Sequence, residues 1–258
     1  MLNNFDRSIF NDMVSYDIIG KVIIIKENNK KFANNLLKIH KNVETILYKS
    51  DIHKGKYRTQ KLKLLAGKRT KETIYKENNI LVKLNLEKAF FSPRLSNERK
   101  RISNLIKEES VLVMFSGVGI YSLVIAKNSK CKEVYGIELN KIAHEYALEN
   151  AQLNKLGDKI TLINDDVSKV KINKKFDRIL MPLPKNAGDF LKDAFRFSKN
   201  GTIIHFYTFG QEKEFDEIKK KLTENCKKLR KKIRILRLIK CGQYSPYTYR
   251  ICLDFMVL

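Results

Sequence analysis

Apolar and polar positions change their spacing part-way along the chain. From Val111 to about Arg230, short apolar runs of strand length alternate with segments whose apolar residues follow the helical period. Two further strand patterns follow, at 233–239 and 249–257. Alternating strands and helices are typical of a parallel sheet covered by helices. The pattern therefore predicts a doubly wound α/β domain that closes with a hairpin.

The residues before this domain follow a less regular pattern. After a polar lead-in, the predicted elements are a strand at 17–26 bent at Gly20, a helix at 32–40, and strands at 43–48, 73–75 and 80–84. A basic, loop-like segment at 49–71 separates the second and third of these strands. We expect a small α+β domain over residues 1–88 and the larger α/β domain over residues 89–258.

A turn rich in small residues joins the first strand of the larger domain to its first helix. Gly117 and Gly119 let the backbone turn sharply and approach a ligand closely, and the N-terminus of the following helix points back at the turn. Glu138 ends the next predicted strand, roughly 20 residues later, a spacing that suits an acid for a pair of ribose hydroxyls. Together these features predict a nucleoside ligand; a purely structural turn is the alternative.

Two further strand ends carry candidate chemistry. Asp166 follows the predicted strand at 160–163, where a carboxylate suits either an adenine amino group or a helix cap. Pro182 and Pro184 follow the strand at 176–181 and impose a rigid, extended loop. Because ligands bind at the carboxyl ends of strands in open α/β sheets, this loop is well placed to hold a flat substrate.

The net charge of the chain indicates a binding partner. The chain has 52 Lys and Arg against 28 Asp and Glu, a formal net charge of +24, and the segment at 49–71 is dense in cations with Tyr57 among them. Such an excess indicates a polyanion such as nucleic acid. A diffuse excess that binds nucleic acid only weakly is the alternative.

Other compositional features narrow the class of protein. Four cysteines are scattered without a Cys-x-x-Cys pair, so neither a zinc site nor a disulfide framework is expected, and a reducing compartment is the simpler interpretation. The chain has no apolar run of about 18 residues and no signal-peptide pattern. We expect a cytoplasmic protein that binds no metal and has no membrane partner.

Several motifs resemble a known family. They are Phe90-Phe91-Ser92-Pro93-Arg94-Leu95 followed by Glu98-Arg99, Met114-Phe115-Ser116-Gly117-Val118-Gly119, Met181-Pro182-Leu183-Pro184-Lys185, His205-Phe206-Tyr207-Thr208 and Leu253-Asp254-Phe255. In these motifs the chain resembles the archaeal and eukaryotic tRNA (guanine-37, N1)-methyltransferases. The resemblance implies a seven-stranded, Rossmann-like S-adenosylmethionine-dependent methyltransferase domain with a smaller N-terminal α+β domain. It also implies a monomer that binds the anticodon arm of tRNA.

The same resemblance implies roles for particular residues. It makes Glu98 the general base that removes the N1 proton of guanine, and Arg58 a cation that stabilises the charge developing on the base. Glu138 would hold the ribose of the cofactor, and Asp166 would lie near its adenine. The remaining residues implied for cofactor binding are Phe115, Ser116, Gly117, Val118, Gly119, Arg94 and Pro182. Those implied for substrate binding are Pro184, Lys185, Arg99 and Tyr244.

The chain departs from the family pattern in three places. Val113 stands where the family often has an aspartate, and Pro182 replaces an asparagine whose amide could hold the base. Many members also carry an additional N-terminal domain that grips the tRNA, whereas this chain begins almost at the second domain. We therefore expect tRNA selection to depend on the basic segment and the anticodon arm.

Two other functions stay open at the sequence level. One is a wybutosine-pathway transferase, which either moves the aminocarboxypropyl group of the same cofactor onto a tricyclic base or methylates such a base. The other is a non-enzymatic RNA-binding protein, for which Val113 and Pro182 are the hints. The Ser-Pro-Arg-Leu element followed by Glu98 favours methyl transfer, because a base for N1 is useful only there.

Overall fold

The computed structural model describes residues 16–51, 55 and 59–258. The strands in this part of the chain are β1 (Asp17–Ile19), β2 (Val22–Ile25), β3 (Thr45–Lys49), β4 (Leu62–Gly67), β5 (Glu72–Glu77), β6 (Ile80–Asn85), β7 (Ser110–Met114), β8 (Glu133–Glu138), β9 (Ile160–Asn164), β10 (Phe176–Met181), β11 (Ser198–Gln211), β12 (Ile233–Ser245) and β13 (Thr248–Val257). The α-helices are α1 (Lys30–Ile39), α2 (Ser96–Leu105), α3 (Ile120–Asn128), α4 (Lys141–Leu153), α5 (Leu191–Arg196) and α6 (Phe215–Lys228). None of these helices combines the length and the apolar composition that a bilayer span requires.

The largest sheet has seven strands in the order β12-β13-β11-β10-β7-β8-β9. Strands β7 to β11 pair in parallel, whereas β13 pairs antiparallel with both β11 and β12. A helix lies in each of the connections β7–β8, β8–β9 and β10–β11, as parallel pairing requires a long crossover, and the last two strands form a hairpin that closes the sheet. The predicted doubly wound domain with a terminal hairpin is confirmed.

Strand β7 shows why the sheet needs helices on both faces. All five of its residues are buried, and successive side chains point to opposite sides. Val111 and Val113 belong to the apolar cluster that contains residues of α2, α3 and α4, whereas Leu112 and Met114 belong to the cluster that contains residues of α5 and α6. The central strands are therefore held between two helical layers, and their carboxyl ends meet at one edge.

A smaller sheet precedes the large one, with the order β1-β2-β3-β4. The predicted bend at Gly20 is a tight hairpin turn between β1 and β2. Gly20 has a φ of +57°, and an added Cβ would lie 2.1 Å from the backbone oxygen of Ile74, so only glycine fits. Helix α1 then connects β2 to β3, which pair in parallel.

Strand β4 corrects the loop-like interpretation of residues 49–71. Leu62 and Ala66 are buried in this strand, and it pairs antiparallel with β3. The lysines at 61 and 63 flank its first residue and face away from the core, so they dilute the apolar signal that marks a strand. The many lysines and arginines of this segment therefore led to a loop prediction for a strand with one buried face.

The β5–β6 hairpin lies against α4 of the larger domain. The side-chain amide of Asn150 accepts from the backbone N–H of Lys83 at 2.7 Å and donates to its carbonyl at 2.9 Å. Asn154 makes the same pair of bonds with Leu81, at 2.8 and 2.6 Å. Hydrogen bonds thus connect residues assigned to the small domain with residues assigned to the larger one. The predicted boundary between residues 88 and 89 stays a prediction.

Helix α2 starts directly from a single 3₁₀ turn at Pro93–Leu95. Leu95 occupies the N-cap position of α2, with no side-chain cap bond. Because the 3₁₀ turn continues into the α-helix, Ser96 is already helical, and its hydroxyl accepts from the side-chain amide of Asn78 at 3.2 Å. The consequence is that Glu98 lies in the first turn of α2.

Candidate active site

A cavity of about 380 Å³ opens at the carboxyl ends of β7, β8 and β10. We call it the sheet-edge cavity. The lining residues that matter most for its chemistry are Phe115, Gly117, Glu138, Pro182, Asn186 and Phe190. Its position matches the place where open α/β sheets bind ligands, and its volume falls within the range of about 300–1,000 Å³ that small-molecule sites occupy.

Glu138 and Gly117 connect two walls of this cavity. The backbone N–H of Gly117 donates to one carboxylate oxygen of Glu138 at 2.7 Å, and that of Asn140 donates to the other at 2.8 Å. Burial raises the pKa of the Glu138 carboxyl, although these hydrogen bonds oppose the shift. A carboxylate has about four lone-pair sites, so Glu138 can still accept a hydrogen bond from a hydroxyl group of a ligand.

The glycines of the turn have different roles. Gly117 has a φ of +57°, and the nearest atom to an added Cβ would be the backbone oxygen of Phe90, 4.0 Å away, so its lack of a side chain leaves the cavity open. Gly119 has a φ of +82° and approaches α4 so closely that an added Cβ would lie 3.1 Å from the Cβ of Ala147. One glycine serves the cavity and the other the packing of α3 on α4.

The other residues of this turn divide between cavity and core. Phe115 lines the cavity and holds a φ of +61°, which is uncommon for a bulky side chain and marks local strain at the site. Val118 is fully buried in the core, and Ser116 is buried with a hydroxyl that has no hydrogen-bond partner among the described residues. Of the five residues implied for cofactor binding at 115–119, Phe115 and Gly117 are thus the ones that line the cavity.

The proline loop supplies a second wall. Pro182 and Leu183 line the cavity, whereas Pro184 is buried and Lys185 is exposed, and neither is among the described lining residues. The substrate-binding roles implied for Pro184 and Lys185 stay predictions.

Sequence reasoning missed three cavity residues that follow this loop. Asn186 donates to Asp189 at 3.2 Å, and Phe190 packs edge-on against Phe115 with ring centroids 4.9 Å apart. All three line the cavity. The available signal was their place after the carboxyl end of β10, where a polar, aromatic-ended turn follows a buried strand.

Asp166 is placed differently from the carboxylate of Glu138. Its Oδ1 accepts from the backbone N–H of Ser168 at 3.0 Å and from the hydroxyl of Ser168 at 2.7 Å. It is not among the described residues that line the sheet-edge cavity. These bonds close a turn after β9, and no helix begins at this point of the described chain, so the helix-cap alternative is wrong. The adenine contact stays a prediction.

Glu98 is buried, with 4% of its surface exposed. Arg101 donates to both of its carboxylate oxygens, from Nε at 2.7 Å and from Nη2 at 2.8 Å. The hydroxyl of Tyr207 donates to Oε1 at 2.6 Å. Oε1 therefore accepts two hydrogen bonds, whereas Oε2 accepts one and keeps a lone pair.

The contacts of Glu98 extend into a buried chain of polar groups. Arg101 also donates to Asp254 at 2.8 Å, and Asp254 lies 2.5 Å from Nδ1 of His205. Arg178 lies 2.7 Å from Nε2 of the same ring. Because a guanidinium only donates, Nε2 is the acceptor and the ring proton sits on Nδ1, which donates to Asp254. Burial lowers the pKa of His205, in keeping with a neutral ring.

Charges in this chain of groups balance. Burial alone would raise the pKa of Asp254, but the hydrogen bonds from His205 and Arg101 hold it well below its usual range. With His205 neutral, three carboxylates face three guanidinium groups, namely Glu98, Glu109 and Asp254 against Arg101, Arg178 and Arg237. Pairing of this kind is what makes buried charges tolerable.

His205, Cys252 and Asp254 bring three potential metal ligands within 4.8 Å of one another. Arg101 and Arg178 bond directly to two of these residues. A metal cation at this point would face two guanidinium groups, so the cluster does not suit a metal ion.

Three residues from the sequence analysis lie elsewhere. Arg99 is 2% exposed, and it donates to both carboxylate oxygens of Glu77 at 2.5 Å and to the carbonyl of Ser92 at 3.2 Å. It ties α2 to the β5–β6 hairpin, so no substrate contact is proposed for it. Arg94 and Tyr244 line a second cavity, described below.

Arg58 lies outside the described residues, and its role stays a prediction. Gly55, three positions earlier in the chain, lines the sheet-edge cavity.

Comparison with known proteins identifies the family. Residues 73–236 match the model of the TRM5/TYW2 methyltransferase domain. The chain belongs to this family. The predicted resemblance is thereby confirmed.

Relatives within the TRM5/TYW2 family differ in the reactions named for them. The tRNA (guanine(37)-N(1))-methyltransferase Trm5b of Pyrococcus abyssi is 36% identical over 94% of this chain and 74% of its own length. The tRNA(Phe) (4-demethylwyosine(37)-C(7)) aminocarboxypropyltransferase of Methanocaldococcus jannaschii is 33% identical over 93% of this chain and 97% of its own. Sequence identity alone therefore does not separate the two reactions.

Solved structures of relatives confirm the fold and the cofactor. The complex of aTrm5 with tRNALeu matches with a TM-score of 0.87 and 30% identity, covering 98% of this chain and 76% of that one. TYW2 of M. jannaschii, in complex with AdoMet, matches with a TM-score of 0.75 and 29% identity, covering 95% and 100%. The predicted use of S-adenosylmethionine is thus supported by the family and by a relative that holds it.

Proposed function

We propose that this protein transfers a methyl group from S-adenosylmethionine to N1 of guanosine-37 in tRNA. The observation that carries the proposal is the sheet-edge cavity, where Glu138 and Gly117 meet at the end of a methyltransferase sheet. The turn at Phe90–Leu95 borders this cavity through Phe90 and leads directly into α2, which carries Glu98. A relative named as a guanine-37 methyltransferase supports the same reaction.

The lining residues fit the cofactor. The Glu138 carboxylate lines the cavity and, with about four lone-pair sites, can accept from the ribose as well as from the backbone. Phe115, Pro182 and Leu183 supply apolar surface for a flat adenine ring. When bound, S-adenosylmethionine supplies an electrophilic methyl group; the protein's own part is to orient the acceptor and to remove its proton.

Proton removal is required because neutral N1 of guanine is a poor nucleophile. A carboxylate can take that proton as the methyl group arrives, and general bases of this kind contribute typically about 10²–10⁴-fold to the rate. Glu98 is the proposed base, and Oε2 is the oxygen with a lone pair to accept the proton. A cation such as Arg58 would then oppose the negative charge that develops on the base.

The structure sets a condition on this role. Glu98 is buried between Arg101 and Tyr207 and is not among the described residues that line the sheet-edge cavity. Base catalysis therefore requires RNA binding to bring the guanine edge and this carboxylate together, either by opening α2 or by turning the side chain out of its pocket. The proposed reaction thus couples substrate binding to exposure of the base.

Aminocarboxypropyl transfer is the second candidate. Pro182 in the cavity wall favours it, because it removes the side-chain amide that the methyltransferase motif offers to the base. The M. jannaschii relative named for that reaction is 33% identical to this chain.

A double-label experiment separates the two candidates. The protein is incubated with tRNA transcripts that carry guanosine or adenosine at position 37, and with S-adenosylmethionine labelled with tritium in the methyl group and carbon-14 in the carboxyl group. Methyl transfer puts tritium alone into the guanosine transcript, mapped to N1. Aminocarboxypropyl transfer puts carbon-14 into RNA instead, and natural, partly modified tRNA provides its tricyclic acceptor. Absence of both labels in every RNA would overturn both candidates.

A further inference from the structure

A second cavity of about 260 Å³ lies beside the first, among β1, the ends of β2 and β3, the Phe90–Leu95 turn and the β12–β13 hairpin. We call it the hairpin cavity. Phe90 lines both cavities, so the two share part of a wall. Whatever occupies the hairpin cavity therefore lies beside the proposed cofactor site.

Positive charge dominates the described walls of the hairpin cavity. Four of its lining residues are cations, namely Lys26, Lys49, Arg94 and Arg250, and one is an acid, Asp17. Arg94 donates to Asp17 at 2.8 Å, so the four cations share this one lining carboxylate. Burial lowers the pKa of Lys49; Asp17 opposes that shift, whereas Arg94 and Lys26 add to it. An anion in the cavity would relieve this crowding of like charges.

Two buried polar atoms in the same walls have no partner among the described residues. They are Nε of Arg250, a donor, and Oε1 of Gln60, an acceptor. Buried polar atoms are hydrogen-bonded in the great majority of cases, and the exceptions call for a ligand or water. These two atoms would be satisfied by a ligand that accepts a hydrogen bond from Arg250 and donates one to Gln60.

An aromatic side chain stands at the rim. Tyr244 is 53% exposed and stacks at a tilt on Phe209, with ring centroids 4.2 Å apart. Exposed aromatic side chains beside a cationic groove are the platforms on which bases of single-stranded nucleic acid stack. The hairpin cavity thus combines an anion site, an unpaired acceptor and a stacking surface.

We infer that the hairpin cavity binds a single RNA nucleotide adjacent to the target nucleotide. Lys49 and Arg250 hold its phosphate, Gln60 accepts from its base or ribose, and Tyr244 stacks on the base. This inference rests on the proposed function for its choice of RNA as the substrate. A carboxylate of the cofactor offers the same anionic chemistry, so the test below has a separate arm for that source.

The protein side of the test compares three variants. Lys49→Gln removes the anion contact, Gln60→Leu removes the acceptor, and Lys220→Gln removes one exposed charge from α6 as the matched control. Affinity for an anticodon stem-loop RNA is measured by fluorescence anisotropy over a range of salt concentrations. We expect Lys49→Gln to weaken binding about tenfold and to reduce the salt slope by about one. Gln60→Leu should weaken it about fivefold without changing that slope, and Lys220→Gln less than about twofold.

The RNA side of the test identifies the phosphate. Single methylphosphonate linkages, which carry no charge, replace each phosphate within two nucleotides of position 37. At one linkage Lys49→Gln should cause no further loss of RNA affinity, because the phosphate charge that Lys49 contacts is already absent. Equal penalties at every linkage, or equal effects of Lys49→Gln and Lys220→Gln, would overturn the inference.

Calorimetry with S-adenosylmethionine provides the arm for the other anion source. Lys49→Gln should leave cofactor affinity unchanged; a loss of cofactor affinity with RNA affinity intact would assign the cavity to the cofactor carboxylate and overturn the inference. Failure of the proposed function has a different signature. Wild-type protein that transfers no group but binds the stem-loop through Lys49 would overturn the proposed reaction alone.

Discussion

Arg101 holds both carboxylate oxygens of Glu98, with Nε 2.7 Å from Oε2 and Nη2 2.8 Å from Oε1. The two residues lie three positions apart in the first turns of α2. A bidentate pair of this kind fixes the plane of the carboxylate. The proposed base is thereby oriented before substrate arrives.

Replacement of Glu98 by glutamine tests its chemistry. The amide is nearly the same size but cannot take a proton, so we expect Glu98→Gln to cut methyl transfer about a hundredfold or more. Cofactor affinity should hardly change, because Glu98 does not line the cavity. Single-turnover rates and calorimetry measure the two effects, with Glu145→Gln on the exposed side of α4 as the control. A full rate in Glu98→Gln would remove this residue from the mechanism.

Asp254→Asn tests the buried charges behind Arg101. The substitution leaves Arg101 and Arg237 without the carboxylate that they share, so the free energy of unfolding should fall by about 3–5 kcal/mol. Denaturant titration measures the loss. Arg237→Gln, which removes a partly exposed partner of the same carboxylate, should cost less than about 1 kcal/mol. Equal losses in the two variants would contradict the balance of charges described above.

Substituting alanine for Gly117 and for Gly119 tests whether the first serves the cavity and the second the packing of α3 on α4. Both substitutions strain a left-handed backbone by about 1–2 kcal/mol. Gly119→Ala adds contact with Ala147 at 3.1 Å and should therefore lower the melting temperature more than Gly117→Ala. Gly117→Ala should instead lower cofactor affinity more, since its new methyl group lies in the cavity wall. Melting curves and calorimetry of both variants check the contrast; the reverse order would refute it.

Acid should weaken the fold through Asp177. Burial alone would raise its pKa, but Lys199 and the backbone and side chain of Ser110 hold the pKa at about 2. The unfolded-chain value is near 3.9, so the stabilisation is complete above that pH and is lost as pH falls through it towards 2. Asp177→Asn should lower stability at neutral pH and flatten the loss between about pH 5 and 2. Urea titrations across that window measure it, and parallel curves for the two proteins would contradict the assignment.

Local patterns in the sequence predicted local relationships well. The spacing from Gly117 to Glu138 reflects one strand–helix–strand unit, and in the structure their atoms meet at 2.7 Å. The spacing of apolar residues predicted the strands and helices of the larger domain, because that spacing reflects which face of a single strand or helix is buried.

The surroundings of Glu98 could not be predicted in this way. Tyr207 and Asp254 come from β11 and β13, and Arg101 reaches Asp254 across 153 positions of the chain. No local period encodes such a contact, which depends on how the terminal hairpin pairs with β11. Burial of Arg99 was missed for the same reason, since its partner Glu77 belongs to the β5–β6 hairpin.

The side-chain amides of Asn150 and Asn154 substitute for a neighbouring strand along β6. They occupy the backbone donors and acceptors of Leu81 and Lys83, which would otherwise form an open edge. Open edges are templates on which a second chain can add a strand and begin to aggregate. A helix thus seals the edge of a two-stranded hairpin, and leucine at both asparagine positions would free that edge for pairing between molecules at high concentration.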